Sequence, residues 1–121
     1  MAPGDRPHRA AAVLHCGPLT ATVTRTTRNH LRIELKGQLD VASAEQLERR
    51  LFLPRRADID LDLGELDFVD TTGARFLAMV ARKKGGKTEV VACSPAAQRA
   101  LERTGLSGVI QRPSGGSGRA R

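Results

Sequence analysis

The sequence predicts one α/β domain with a mixed β-sheet that opens as an antiparallel hairpin and continues as parallel strands joined by crossover helices. Three observations predict it. Two neighbouring runs between residues 19 and 35 alternate apolar and polar side chains with a period of two. Three later segments repeat apolar residues at helical spacing, each opened by a capping residue and stopped by proline or glycine. Strands and helices then follow in the order β-β-α-β-α-β-α, and strands linked through a helix must run in the same direction.

Each element has a local reason. From Leu19 to Thr26, Leu19, Ala21 and Val23 alternate with Thr20, Thr22 and Thr24, and after Arg28-Asn29 the pattern resumes with Leu31, Ile33 and Leu35 against Arg32, Glu34 and Lys36. These two runs read as a hairpin. Ser43 opens a helix with Gln46 three residues on, the capping-box spacing, and Ala44, Leu47 and Leu51 share a face until Pro54 forbids continuation. Asp58 to Leu63 alternates again as a strand. After Asp70-Thr71-Thr72-Gly73, the residues Ala74, Leu77, Ala78 and Ala81 form a helical face that ends in Arg82-Lys83-Lys84 and Gly85, a cationic last turn followed by a residue that accepts positive φ. Thr88 to Ala92 is a short apolar strand. Ser94-Pro95 supplies an N-cap with proline at the first helical position, Ala97, Ala100, Leu101 and Thr104 repeat helically, and Gly105 closes the element.

Composition narrows the function. The chain has 121 residues, 40% hydrophobic and 27% charged, with neither Trp nor Tyr. A chain of this length hides roughly two thirds of its unfolded surface, enough for one modest core. No run approaches the ~18 apolar residues of a membrane span, and Ala10 to Leu14 is too short and Ala-rich for a secretory core, so no membrane association is expected. Cys16 and Cys93 stand outside any Cys-x-x-Cys pair; Cys93 reads as a small buried core residue and Cys16 as a free thiol in a mobile segment, a usage that fits a reducing cytoplasm. Residues 1–18 and 112–121, rich in Pro, Gly and Ser, read as a flexible front and a disordered basic tail around a folded unit at 19–111. Of the net charge of +7, the tail carries +3 and the front +1, so the folded unit keeps +3. With no basic stripe and no Tyr or Trp to stack bases, specific nucleic-acid binding is poorly supported; a basic nucleic-acid-binding protein is the least favoured binding-class alternative.

Most candidate chemistry dissolves on inspection. Gly86-Lys87-Thr88 ends like a phosphate-binding loop, but the pattern needs glycine at position 81, which is Ala81, and it needs strand before helix rather than the reverse. Asp58, Asp60 and Asp62 have the opening spacing of a calcium loop, yet Leu63 and Val69 occupy its glycine and glutamate positions. His8, His15 and His30 lack the spacing of a metal pair or of a nucleophile's partner and read as solvated. No metal, cofactor or catalytic residue is expected. Asp70-Thr71-Thr72-Gly73 is different, because one hydroxyl suffices to cap a helix and the second is left over.

Three segments carry a resemblance to the STAS domain family, and within it to the small bacterial anti-sigma factor antagonists. Gly37-Gln38-Leu39-Asp40 resembles the family's Gly-x-Leu-Asp turn, Leu61 to Gly73 its strand leading into Asp-Ser-Ser/Thr-Gly, and Ser94 to Leu106 its last helix. The resemblance spans roughly residues 19 to 111 and implies a STAS-like single domain. It implies a non-enzymatic protein-binding switch in the cytoplasm, a monomer or weak dimer. An anti-sigma factor that is itself a serine/threonine kinase would phosphorylate Thr71, the first hydroxyl residue after the aspartate; the unphosphorylated form would bind that factor and release the sigma factor, and a phosphatase would reset it. Asp40, Asp70, Thr71, Thr72 and Gly73 would form the partner-binding surface, with Thr72 capping the helix. Threonine stands at the acceptor position where serine is commoner. The alternative within the same family is a constitutive STAS interaction module in which Thr71 is merely a cap.

Overall fold

The computed structural model describes residues 11–82 and 85–103. The elements run β1 (Ala11–Cys16), β2 (Leu19–Thr27), β3 (His30–Leu39), α1 (Val41–Arg50), β4 (Asp58–Val69), α2 (Thr71–Ala81), β5 (Thr88–Cys93) and α3 (Pro95–Arg103). The five strands lie side by side in chain order. Pairing is antiparallel from β1 to β3 and parallel from β3 to β5, the mixed sheet that a leading hairpin and later crossovers require.

Alternation sorts the sheet into two faces. Leu19 and Ala21, then Ile33 and Leu35, then Ile59, Leu61 and Leu63 point to one side, where they join Ala44 and Leu47 of α1, Ala74 and Leu77 of α2, and Ala97, Ala100 and Leu101 of α3 in a single core. A fully buried leucine of this kind contributes about 1.5–3 kcal/mol relative to an exposed one. The other face is polar: Arg32 meets Asp62 at 2.7 Å and Glu34 at 3.2 Å, and His30 Nε2 lies 3.0 Å from Asp60. The Asp58 carboxylate accepts from the backbone N–H of Lys87 at 3.0 Å. Asp58, Asp60 and Asp62 therefore pair with local donors, and His30, expected to be solvated, is half-buried in one of those pairs. Among the described residues no group of three or more His, Cys, Asp or Glu side chains is placed to hold a metal, and no helix is long and apolar enough to cross a membrane.

Several expectations need correction. Residues 11–16, within the stretch read as flexible, form β1: Gly17 at φ 64 and Pro18 turn the chain so that Cys16 lies opposite Leu19 and Ala11 opposite Thr24. A short Ala-rich run carries little strand propensity by itself, and pairing with β2 supplies what it lacks. Cys16 is consequently 0% exposed within the core, whereas Cys93 is only half-buried. Strand β4 does not stop at Leu63. Register shifts opposite Glu34/Lys36 and Gly37/Gln38 absorb the broken alternation at Gly64-Glu65, so Leu66 and Val69 return to the core. Ser94 caps α3 as expected, its hydroxyl accepting from the N–H of Ala97 at 3.0 Å. Helix α2 is capped at Arg82, while its expected Lys83-Lys84 extension, Thr104, Gly105 and the two ends of the chain lie outside the described residues.

The burial of Cys16 is checked by pulse alkylation with peptide mapping. Cys16 should stay unmodified in native buffer and react fully in denaturant; rapid native labelling would mean that β1 is undocked.

Candidate functional site

The parallel strands β3 and β4 end level with each other, Leu39 opposite Val69, and each is followed by an aspartate that starts a helix. The register alone therefore sets Asp40 and Asp70 side by side at the carboxyl end of the sheet, where open α/β sheets gather functional groups. Both residues keep extended backbone, with φ −119 and ψ −172 at Asp40 and φ −93 and ψ −176 at Asp70, which is the N-cap conformation.

The two caps are built differently. At α1, the Asp40 carboxylate accepts from the backbone N–H of Ser43 at 3.0 Å and from its hydroxyl at 2.9 Å, while Ser43 Oγ accepts from the Asp40 N–H at 2.9 Å. This is a closed capping box with Asp40 as the cap and Ser43 as the third helical residue, one turn earlier than the box expected from Ser43 and Gln46. Ser43 is fully buried. Hydrogen bonds from the Ser43 N–H and hydroxyl hold the Asp40 carboxyl below its ordinary value of 3.8.

At α2, glycine takes the place that Ser43 holds in α1. The Asp70 Oδ1 accepts from the Gly73 N–H at 2.7 Å, and the second oxygen, with no serine to engage it, accepts from the N–H of Val41 at 3.1 Å. The Asp70 N–H in turn donates to Leu39 O at 3.1 Å. One carboxylate thus caps α2 and satisfies the first N–H of α1. Gly73 is also a spacing requirement: a Cβ there would lie 2.5 Å from Leu39 O and 2.8 Å from Leu39 Cγ, so only glycine lets α2 start this close to the end of β3.

Asp70, not Thr72, is therefore the cap, and both threonines are released from that duty. Thr71 and Thr72 occupy the first two helical positions with exposed side chains, and among the described residues neither hydroxyl has a hydrogen-bond partner. Their surroundings differ. Thr72 borders a shallow groove between α1 and α2 with Glu45, Glu48, Arg75 and Met79, whereas Thr71 lies outside its lining. The structure brings Asp40, Asp70, Thr71, Thr72 and Gly73 together and adds two apolar neighbours that pattern reading missed: Val41, 52% exposed, and Phe68, 48% exposed. Phe68 was hidden because the alternation breaks after Leu63, and two shifts, one bringing Leu66 inward and the next Val69, leave Phe68 outward between them; Val41 was signalled only by following an N-cap aspartate.

The fold and the site together define a small α/β module whose distinctive chemistry is a pair of unengaged hydroxyls at a joint between two helices, bordered by carboxylates and apolar side chains. A family model described as Mlab, STAS domain, matches residues 22–111, and the chain belongs to the STAS domain family. Its fold is similar to that of an anti-sigma factor antagonist from Mycobacterium paratuberculosis, with a TM-score of 0.67 and 22% identity over 80% of this chain and 86% of the other. It is also similar to the anti-sigma factor antagonist SpoIIAA in its unphosphorylated form, with a TM-score of 0.62 and 20% identity over 78% of this chain and 88% of that one.

Two measurements check this joint. Replacing helical glycine by alanine ordinarily gains about 0.5–1 kcal/mol, but Gly73→Ala should lose about 1–3 kcal/mol in urea unfolding, because the methyl group overlaps the Leu39 backbone; a gain would show that α2 has room to move. Asp40, with its folded pKa lowered, contributes stability that is present above its ordinary value of 3.8 and lost as pH falls through the lower folded value. The urea midpoint of Asp40→Asn should therefore trail the wild type at neutral pH and draw closer to it as pH falls below 3.8; a gap independent of pH would contradict the charge-based cap.

Proposed function

We propose that this chain is an anti-sigma factor antagonist: a non-catalytic cytoplasmic regulator that, unphosphorylated, binds an anti-sigma factor of the serine/threonine kinase type and so frees a sigma factor, and that is switched off by phosphorylation of Thr71. Membership of the STAS family and the likeness in fold to two such antagonists support the class. The observation that carries the acceptor is that Asp70 does the capping, which leaves the Thr71 hydroxyl exposed and unengaged at the joint. Thr72 is the poorer acceptor, since a phosphate there would enter a groove in which two carboxylates, Glu45 and Glu48, outnumber one cation, Arg75, whereas Thr71 lies outside that lining.

In the transfer, Thr71 Oγ attacks the γ-phosphorus of ATP held by the kinase. A new O–P bond forms, the bond from that phosphorus to the β,γ-bridging oxygen breaks, ADP leaves, and the hydroxyl proton passes to a base of the kinase. The product carries about −1.5 to −2 charge. At the start of α2 this charge is favoured by the helix dipole, so the fold survives. Against a docked protein it is not favoured: beside Asp70 and Asp40, with Val41 and Phe68 pressed on the partner, the phosphate is desolvated next to like charges. A loss of ~4 kcal/mol weakens binding about a thousandfold.

Incubation with ATP and the anti-sigma kinase of the source cell, followed by mass spectrometry, should show one phosphate on Thr71. Thr71→Glu should lose the unmodified protein's binding by two to three orders of magnitude, about 2.7–4 kcal/mol, with an unchanged circular dichroism spectrum. Absence of any mass increase together with normal binding by Thr71→Glu would favour a constitutive STAS interaction module instead.

A further inference from the structure

We infer that Arg75 is the receiver of the phosphate on Thr71, holding it along the exposed side of α2; this rests on the reading of Thr71 as the acceptor. Arg75 follows Thr71 by four residues in α2, and both side chains are exposed. At 3.6 residues per turn the two lie one turn apart and about 40° around the axis. Helical side chains lean toward the N-terminus, so the guanidinium leans over the turn that carries Thr71. An anion four residues before a cation is also the favourable order along a helix.

The guanidinium is uncommitted. Among the described residues Arg75 has neither an ion pair nor a hydrogen bond, although Glu45 and Glu48 border the same groove. By contrast, Arg32 on the sheet is already engaged by Asp62 and Glu34. A planar fork of N–H donors matches phosphate oxygens better than it matches a hydroxyl, so Arg75 gains its natural partner only on modification. Among the described residues the charged side chains that line the neighbouring groove are Glu45, Glu48 and Arg75, and Arg75 is the cation of the three. With Asp70 and Asp40 as the caps at the joint, Arg75 is the group of opposite charge that can set where the phosphate rests.

The test places phosphothreonine at position 71 during synthesis, so that it does not depend on any kinase, and follows the phosphorus NMR shift through the second phosphate ionisation. A guanidinium beside the dianion lowers that pKa, and Arg75→Gln should raise it by about 0.15–0.4 unit. Arg75→Lys should keep part of the lowering, and Arg49→Gln, at the far end of α1, should leave it unmoved. Identical titrations for the wild type and Arg75→Gln would overturn the assignment, as would an equal rise in Arg49→Gln, which would reduce the effect to general charge. A kinase that ignores Thr71 would defeat the proposed function while leaving these titrations as they are.

Discussion

The site depends on one carboxylate that serves two helices. Asp70 gives one oxygen to the Gly73 N–H of its own helix and the other to the Val41 N–H of the preceding one. Each helix N-terminus presents backbone donors that the helix itself cannot satisfy, and a side chain that satisfies one typically contributes about 1 kcal/mol. Sharing one residue between two such ends also fixes the ends relative to each other. The sheet makes this sharing possible, because parallel pairing with Leu39 opposite Val69 brings both strands to their helices at the same level.

From that arrangement follows the freedom of the threonines. A helix start with Thr71 and Thr72 would ordinarily draw a hydroxyl into capping, and a hydroxyl so used is poorly placed to react. Asp70 removes that demand, and Gly73, by lacking a side chain, both admits the close approach to Leu39 and leaves the second carboxylate oxygen for Val41. The contrast with α1 makes the point: there Ser43 closes the box around Asp40 and is itself fully buried. One of the two neighbouring caps is sealed, and the other leaves two unengaged hydroxyls outside.

What was legible in the sequence is what depends on local pattern. Period-two runs found β2, β3 and the first half of β4, helical spacing found all three helices, and the Asp-Thr-Thr-Gly stretch located the joint. What escaped depends on partners distant in the chain. Ser43 and Asp40 are equally good capping residues by type, and only the end of the β3–β4 ladder decides between them. Strand β1 exists through its pairing with β2, and that pairing buries Cys16, a residue whose neighbours in sequence give no sign of a core. Likewise Leu66 turns inward because β4 shifts register against β3, and a second shift sets Val69 inward and Phe68 outward, irregularities invisible in a single strand.

Net charge misleads at such a surface. The chain as a whole is basic, at +7, yet the joint carries Asp40 and Asp70, and the groove beside it is lined by Glu45 and Glu48 with Arg75. At physiological ionic strength charges more than about 8 Å apart are largely screened, so an added phosphate responds to this acidic neighbourhood rather than to the distant excess of arginine. Screening weakens further under a docked partner, where water is excluded and like charges repel more strongly. In the proposed switch the same modification would be tolerated by the isolated domain, in which solvent and the dipole of α2 accommodate it, and opposed under a docked partner that excludes water. The proposed switch needs no rearrangement of the fold, because the difference lies in what surrounds the threonine in each state.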